Sequence, residues 1–141
     1  MCRCAECGSL VKPHIVFFGE NLPQRFFELH RADLARCDLL IVLGTSLVVH
    51  PFAGLLHHVR ADCPRLLINR DLVGDIAPEL YQLGHRRGLW FGEGNTRDVQ
   101  HLGDCDAVVR RLAALLGWEA DLDALHALAE EAVVMAEVAV E

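Results

Sequence analysis

Two short, wholly apolar runs constrain this chain most. Leu39-Leu40-Ile41-Val42-Leu43 ends in Gly44-Thr45-Ser46, and Leu66-Leu67-Ile68 ends in Asn69-Arg70-Asp71. Short aliphatic runs such as these, of five and three residues without alternation, mark strands covered on both faces, the habit of parallel sheets. Small and hydrogen-bonding residues directly after such strands predict a ligand site at their carboxyl ends. In open α/β sheets nucleotides bind there.

The remaining elements fall in βα order. Residues 15–18 are β-branched and aromatic, stop at Gly19, and read as a strand. Pro23 suits the first turn of a helix with Phe26, Phe27, His30 and Leu34 along one side. After the strand at 39–43, Pro51 opens a second helix, with Phe52, Leu55, Leu56 and Val59 at i, i+3, i+4 and i+7. Pro64 precedes a strand at 65–69. Residues 71–88, broken by Gly74, Pro78, Gly84 and Gly88, read as a long loop with a short helical turn. Residues 89–91 read as a last short strand. A helix is expected from Asp104 or Asp106 to Gly117, and the Gly-free, Pro-free stretch 119–141 extends as a helical tail. Alternating strands and helices at this spacing predict parallel β-α-β units, with right-handed crossovers placing the post-strand loops on one sheet edge.

At 141 residues there is room for one domain with a real core, and a 52% hydrophobic fraction excludes disorder. Twenty acidic against 13 basic residues, net −7, oppose broad binding to nucleic acid. The longest apolar runs are strand-length, so no membrane span is expected. Of six cysteines, Cys2, Cys4 and Cys7 crowd the start, while Cys37, Cys63 and Cys105 are scattered. The opening segment is polar and unlike a signal peptide, so a reducing, intracellular compartment is expected.

Cys4-Ala5-Glu6-Cys7, Leu10-Val11-Lys12-Pro13, residues 15–20, Gly44-Thr45-Ser46, Pro64 through Asp71 and Leu102-Gly103-Asp104-Cys105-Asp106 together resemble the sirtuins, NAD-dependent protein-lysine deacylases. Each motif alone is weak; the ordered set is specific and reaches from Cys4 to about Trp118. The resemblance is to the carboxyl-terminal half of the catalytic domain. It implies a three-layer, Rossmann-like parallel sheet whose first strands are not in this sequence. Residues 1–12 are then a remnant of the zinc module, 13–118 the NAD-binding part, and 119–141 the helical tail.

The resemblance also assigns roles. Gly44, Thr45 and Ser46 would meet NAD, Gly by close backbone approach and the hydroxyls by hydrogen bonding. Asn69, Arg70 and Asp71 would border the adenosine ribose, with Asn69 the firmer contact, and Cys105 would set its backbone against adenine. Val16, Phe17, Phe18, Gly19 and Glu20, with Val48 and Val49, would form two edges between which an acyl-lysine peptide inserts as an extra strand. At least one of Phe17 and Phe18 is expected in the core. Cys4 and Cys7 would be zinc ligands, a half-site because structural zinc wants four donors. Cys2 would be a third, but it sits very close in sequence to Cys4 and has no family counterpart, and His14 stands where sirtuins often carry Asp.

The implied chemistry transfers an acyl group from a lysine amide to ADP-ribose with release of nicotinamide, assisted by a general-base histidine. Eight histidines are present, none in the motif that carries that base. The chain alone is therefore expected to be inactive, to expose an unpaired strand edge and to be poorly soluble. The rival reading is a non-catalytic chain that binds a nucleotide or a partner.

Overall fold

The computed structural model describes residues 2–11, 13 and 15–138, with side-chain surroundings given through residue 132. Lys12 and His14, both named above, lie outside the described residues. The chain runs α1 (Gln24–Ala35), β1 (Leu40–Leu43), a 3₁₀ helix (Phe52–His57), β2 (Arg65–Asn69), α2 (Pro78–Gln82), β3 (Asp98–Leu102), α3 (Cys105–Leu116) and α4 (Glu119–Val138). The three strands form one parallel sheet in the order β1-β2-β3. Leu40 is in register with Arg65, and Arg65 with Asp98, so the strand starts are level and the strand ends share one edge.

β2 is central, and its composition follows from that position. Leu67 and Ile68 are fully buried on opposite faces. Leu67 packs with Val42 and Leu89, backed by Leu40, Leu47, Val73 and Phe91. On the other face, Leu66, Ile68 and Val99 share the lining of a cavity of about 220 Å³ with Val108 and Leu112 of α3. The sheet thus has cover on both sides, the α/β arrangement.

A buried ion pair pins the strand starts. Arg65 donates from Nε to Asp98 at 2.6 Å and from its terminal nitrogens to Asp98 at 2.5 Å, Gly88 O at 2.9 Å and Leu56 O at 3.2 Å. Asp98 also accepts the Trp90 N–H at 2.7 Å. Both side chains are 2% exposed, so the pair is stable only because every charge is bonded.

Four expectations are corrected. Residues 15–18 form no strand: they turn at Phe18 and Gly19. The turn engages Phe17 with Glu20, bonds that β-propensity does not offset. Neither phenylalanine is in the core; Phe17 is 61% and Phe18 94% exposed. The Pro51 helix is 3₁₀, closed by i→i+3 bonds such as Gly54 N to Pro51 O and His58 N to Leu55 O. Its Ala53 and Leu56 are buried all the same. The last strand is Asp98–Leu102, whereas Leu89 makes only a single parallel bridge to Asp75.

The caps follow sequence chemistry. The Asp104 carboxylate accepts from Asp106 N and Ala107 N and starts α3, and Gly117, at φ +74°, ends it. Pro23 stands just outside α1, none of whose residues is buried. Phe26 stacks on His30 at 4.7 Å, and His30 meets His58 edge-on at 5.5 Å.

Candidate functional site

Level strands bring three turns to one end of the sheet. Gly44, Thr45 and Ser46 after β1, Asn69, Arg70 and Asp71 after β2, and Asp104, Cys105 and Asp106 opening α3 line a single cavity of about 490 Å³, with Val73 in its wall. All seven positions expected to meet a dinucleotide therefore come together. Asp104, Asp106 and Val73 were not among them. The signal for Asp104 was its place as a helix cap directly after the Leu102-Gly103 pair.

Each turn is held by its own chemistry. Gly44 has φ +61°, and a Cβ built there would lie 3.9 Å from Cys105 Sγ, so the β1 turn passes close to the start of α3. Thr45 Oγ1 accepts the Leu47 N–H at 3.2 Å and closes the turn; a hydroxyl so engaged still has its proton to donate. Leu47 is the one non-glycine with positive φ among the described residues, at +51°, a strained state for a leucine. Packing against the Val42-Leu67-Leu89 cluster and against Gly74 holds it there. A Cβ at Gly74 would meet Leu47 Cδ1 at 2.5 Å.

Asn69 is buried, and its Nδ2 donates to Asp71 O at 2.9 Å, folding 69–71 into a turn and leaving the amide oxygen as an acceptor. Arg70 reaches Asp104 at 3.2 Å across the cavity mouth. That hydrogen bond, with the Ala107 and Asp106 N–H groups, holds the Asp104 carboxyl below the usual carboxylate range. Cys105 Sγ points its hydrogen toward Ile68 O at 3.6 Å.

The residues expected to hold a peptide are not in this wall. Glu20 and Phe17 bond each other, Phe17 N to the Glu20 carboxylate at 2.9 Å and Glu20 N to Phe17 O at 3.0 Å, which closes the turn at Gly19. Val16 is half-buried, while Val48 and Val49, the second expected edge, are exposed.

At the amino terminus Cys4 and Cys7 share one tight turn. Cys4 N donates to Ser9 O at 2.9 Å, Gly8 N donates to Cys4 O at 3.0 Å, and Arg3 and Leu10 pair across its base. Hydrogen bonding to Ser9 first, then to Cys4, lowers the Cys7 thiol below its ordinary value. That favours the thiolate, the form zinc binds. Two donors fit half a tetrahedron. Among the described residues no group of three or more His, Cys, Asp or Glu is placed to hold a metal ion. No described helix is long and apolar enough to cross a membrane.

A three-strand parallel sheet with glycine-, hydroxyl- and amide-bearing turns around one cavity at its strand ends is an α/β arrangement of the Rossmann-like kind. Residues 1–51 match the Sir2 family. The chain is 49% identical over 133 residues to the NAD-dependent protein deacetylase sirtuin-2 of Danio rerio, covering 89% of this chain and 35% of that protein. It is 52% identical over 120 residues to the NAD-dependent protein deacetylase sirtuin-3 of Mus musculus, covering 85% and 31%. Against the NAD-dependent protein deacetylase hst2 of Schizosaccharomyces pombe, identity is 46% over 123 residues, covering 87% and 32%. The chain thus carries a Sir2-family match and high identity to sirtuins over most of its own length, and it spans about a third of the length of these curated relatives.

Proposed function

We propose that this chain is the carboxyl-terminal, NAD-holding part of a protein-lysine deacetylase, with the cavity at the strand ends taking the adenosine side of the cofactor. The observation that carries this reading is the convergence of residues 44–46, 69–71 and 105 on one cavity in a chain whose relatives are named NAD-dependent deacetylases.

The electrostatics support the adenosine side over the phosphates. Asp71, Asp104 and Asp106 line the cavity, and Arg70, the one cation among the described residues of its wall, is already paired to Asp104. The Asp104 carboxylate also takes two of the helix-start N–H groups that would otherwise face an anion. A ribose, with hydroxyl donors, suits carboxylate and amide acceptors. Asn69 and Asp71 accept those hydroxyls, Thr45 and Ser46 donate, and the backbone at Cys105 borders the base. NAD, when bound, supplies an electrophilic ribose carbon with nicotinamide as its leaving group.

The remaining assignments follow the same reading. Residues 16–20 and 48–49 hold the acyl-lysine peptide between them. Cys4 and Cys7 supply two of four zinc ligands in the remnant of the zinc module. No histidine stands among the described residues lining the cavity, and none of the eight lies in the family's general-base motif, so the reading is that this chain binds the cofactor without turning it over.

The test is to incubate the chain with NAD and an acetyl-lysine peptide, following binding by calorimetry and nicotinamide by chromatography. The reading expects NAD binding weakened by Asn69→Ala, with no nicotinamide released. Release would overturn the inactivity, and absence of binding would overturn the cavity assignment.

A further inference from the structure

Two cysteines outside the described site meet at the opposite end of the sheet. Cys37 enters β1 and Cys63 enters β2, and these two strands are parallel neighbours with Leu40 level with Arg65. Cys37 leaves the turn that ends α1, its N–H bonded to Leu34 O at 3.2 Å, and Cys63 leaves a turn closed by its own N–H to Arg60 O at 3.2 Å. The residues beside them join the two segments: Arg60 reaches Asp38 at 3.9 Å, and Leu40 N donates to Pro64 O at 2.9 Å. The Cys37 side chain is the near neighbour that acts on the Cys63 thiol.

Their surroundings differ. Cys63 is wholly buried, while Cys37 is partly exposed and donates to Leu39 O at 3.1 Å. Burial, and then the contact with Cys37, pushes the Cys63 thiol up. A buried, protonated thiol does not attack an oxidant from solvent; a partly exposed one does.

We infer that Cys37 and Cys63 form a reversible disulfide under hydroperoxide, with Cys37 the peroxide-sensing thiol and Cys63 its resolving partner. The Cys37 sulfur attacks a peroxide oxygen, the O–O bond breaks, and water leaves with the thiol proton, giving Cys37 sulfenic acid. The Cys63 sulfur then attacks the Cys37 sulfur. The S–S bond forms as the S–O bond breaks, and the departing hydroxide takes the Cys63 proton as a second water. The two thiols lose two electrons and hydrogen peroxide gains them. The closed ring holds β1, the turn at 44–46 and the 3₁₀ helix, so the bond ties the crossover that presents the cavity.

The experiment treats the whole chain with hydrogen peroxide at neutral pH, blocks residual thiols, and maps disulfides by peptide mass spectrometry. A Cys37–Cys63 linked peptide is expected, cleared by dithiothreitol, kept in Cys105→Ser and absent in Cys37→Ser. Oxidation of the same chain in guanidinium is expected to scatter the pairing over all six cysteines. Cys63 left reduced while the amino-terminal cysteines oxidise, or the same link forming equally in guanidinium, would overturn the inference. Cys63→Ala serves as the second variant: Cys37 is then expected to accumulate as sulfenic acid, trapped by dimedone, and a failure to trap it would also count against the assignment.

Discussion

Replacing Asp98 by alanine probes how the cavity is held from behind. The substitution leaves the Arg65 guanidinium, 2% exposed, with bonds only to Leu56 O and Gly88 O. It also removes the acceptor of the Trp90 N–H. Stranding one member of a buried pair costs about 3–5 kcal/mol, and the lost Trp90 bond argues for the upper half. Against a typical total of about 5–15 kcal/mol, that is a large fraction. Hydrogen exchange at high dilution reads the effect locally. Peptides covering Arg65–Asn69 and residues 88–98 are expected to lose about two to three and a half decades of protection. Converting both partners to apolar residues, Arg65→Met with Asp98→Leu, is expected to restore most of it, since no orphan charge remains. A change below about fivefold in Asp98→Ala would refute the view that this pair clamps β2 and β3.

Three further outcomes follow from other parts of the structure. Gly74→Ala, at φ +66° with Leu47 Cδ1 2.5 Å from the new Cβ, is expected to lose about 1–3 kcal/mol and to weaken ligand binding by displacing the turn at 44–46, read by urea titration and calorimetry. Asp104, whose carboxyl is lowered by Arg70 and the helix-start N–H groups, stabilises α3 fully above the unfolded carboxyl value of about 3.9, and this is lost as pH falls through the lower folded value. Asp104→Ala is thus expected to lower the thermal midpoint at pH 7 and to have little effect well below pH 3, checked by melting at both. Both outer edges of the three-stranded sheet are unpaired among the described residues, and Ile41, Leu43, Val99 and Leu102 are exposed. The isolated chain is expected to self-associate with rising concentration, seen by light scattering; a sharp cooperative melt of a monomer would contradict this.

The parts of the fold legible in the sequence are those where local pattern and burial agree. β2, buried on both faces, reads as an unbroken aliphatic run, and its limits at Arg65 and Asn69 were predictable from Pro64 and the polar Asn69-Arg70-Asp71. α3 announces itself by an aspartate cap and a glycine stop. β3 is an edge strand of sequence Asp-Val-Gln-His-Leu with one buried residue, Asp98, so neither an apolar run nor strict alternation betrays it. Residues 15–18 fail for the opposite reason: high strand propensity gives way to the local turn at Phe18 and Gly19. The 3₁₀ form of the Pro51 helix lies beyond periodicity too, since Leu56 and Val59 are buried either way. At the cavity, turn residues were legible because their chemistry is local. Asp106 and Val73 reach the wall only through the register of three strands and one helix start.

The most direct measurement of the central claim is an amide-resolved NMR titration of the chain with NAD. The account predicts saturable shifts at Gly44, Ser46, Asn69, Asp71 and Cys105, around one cavity. Saturable shifts confined to other segments, or none at millimolar NAD, would contradict it.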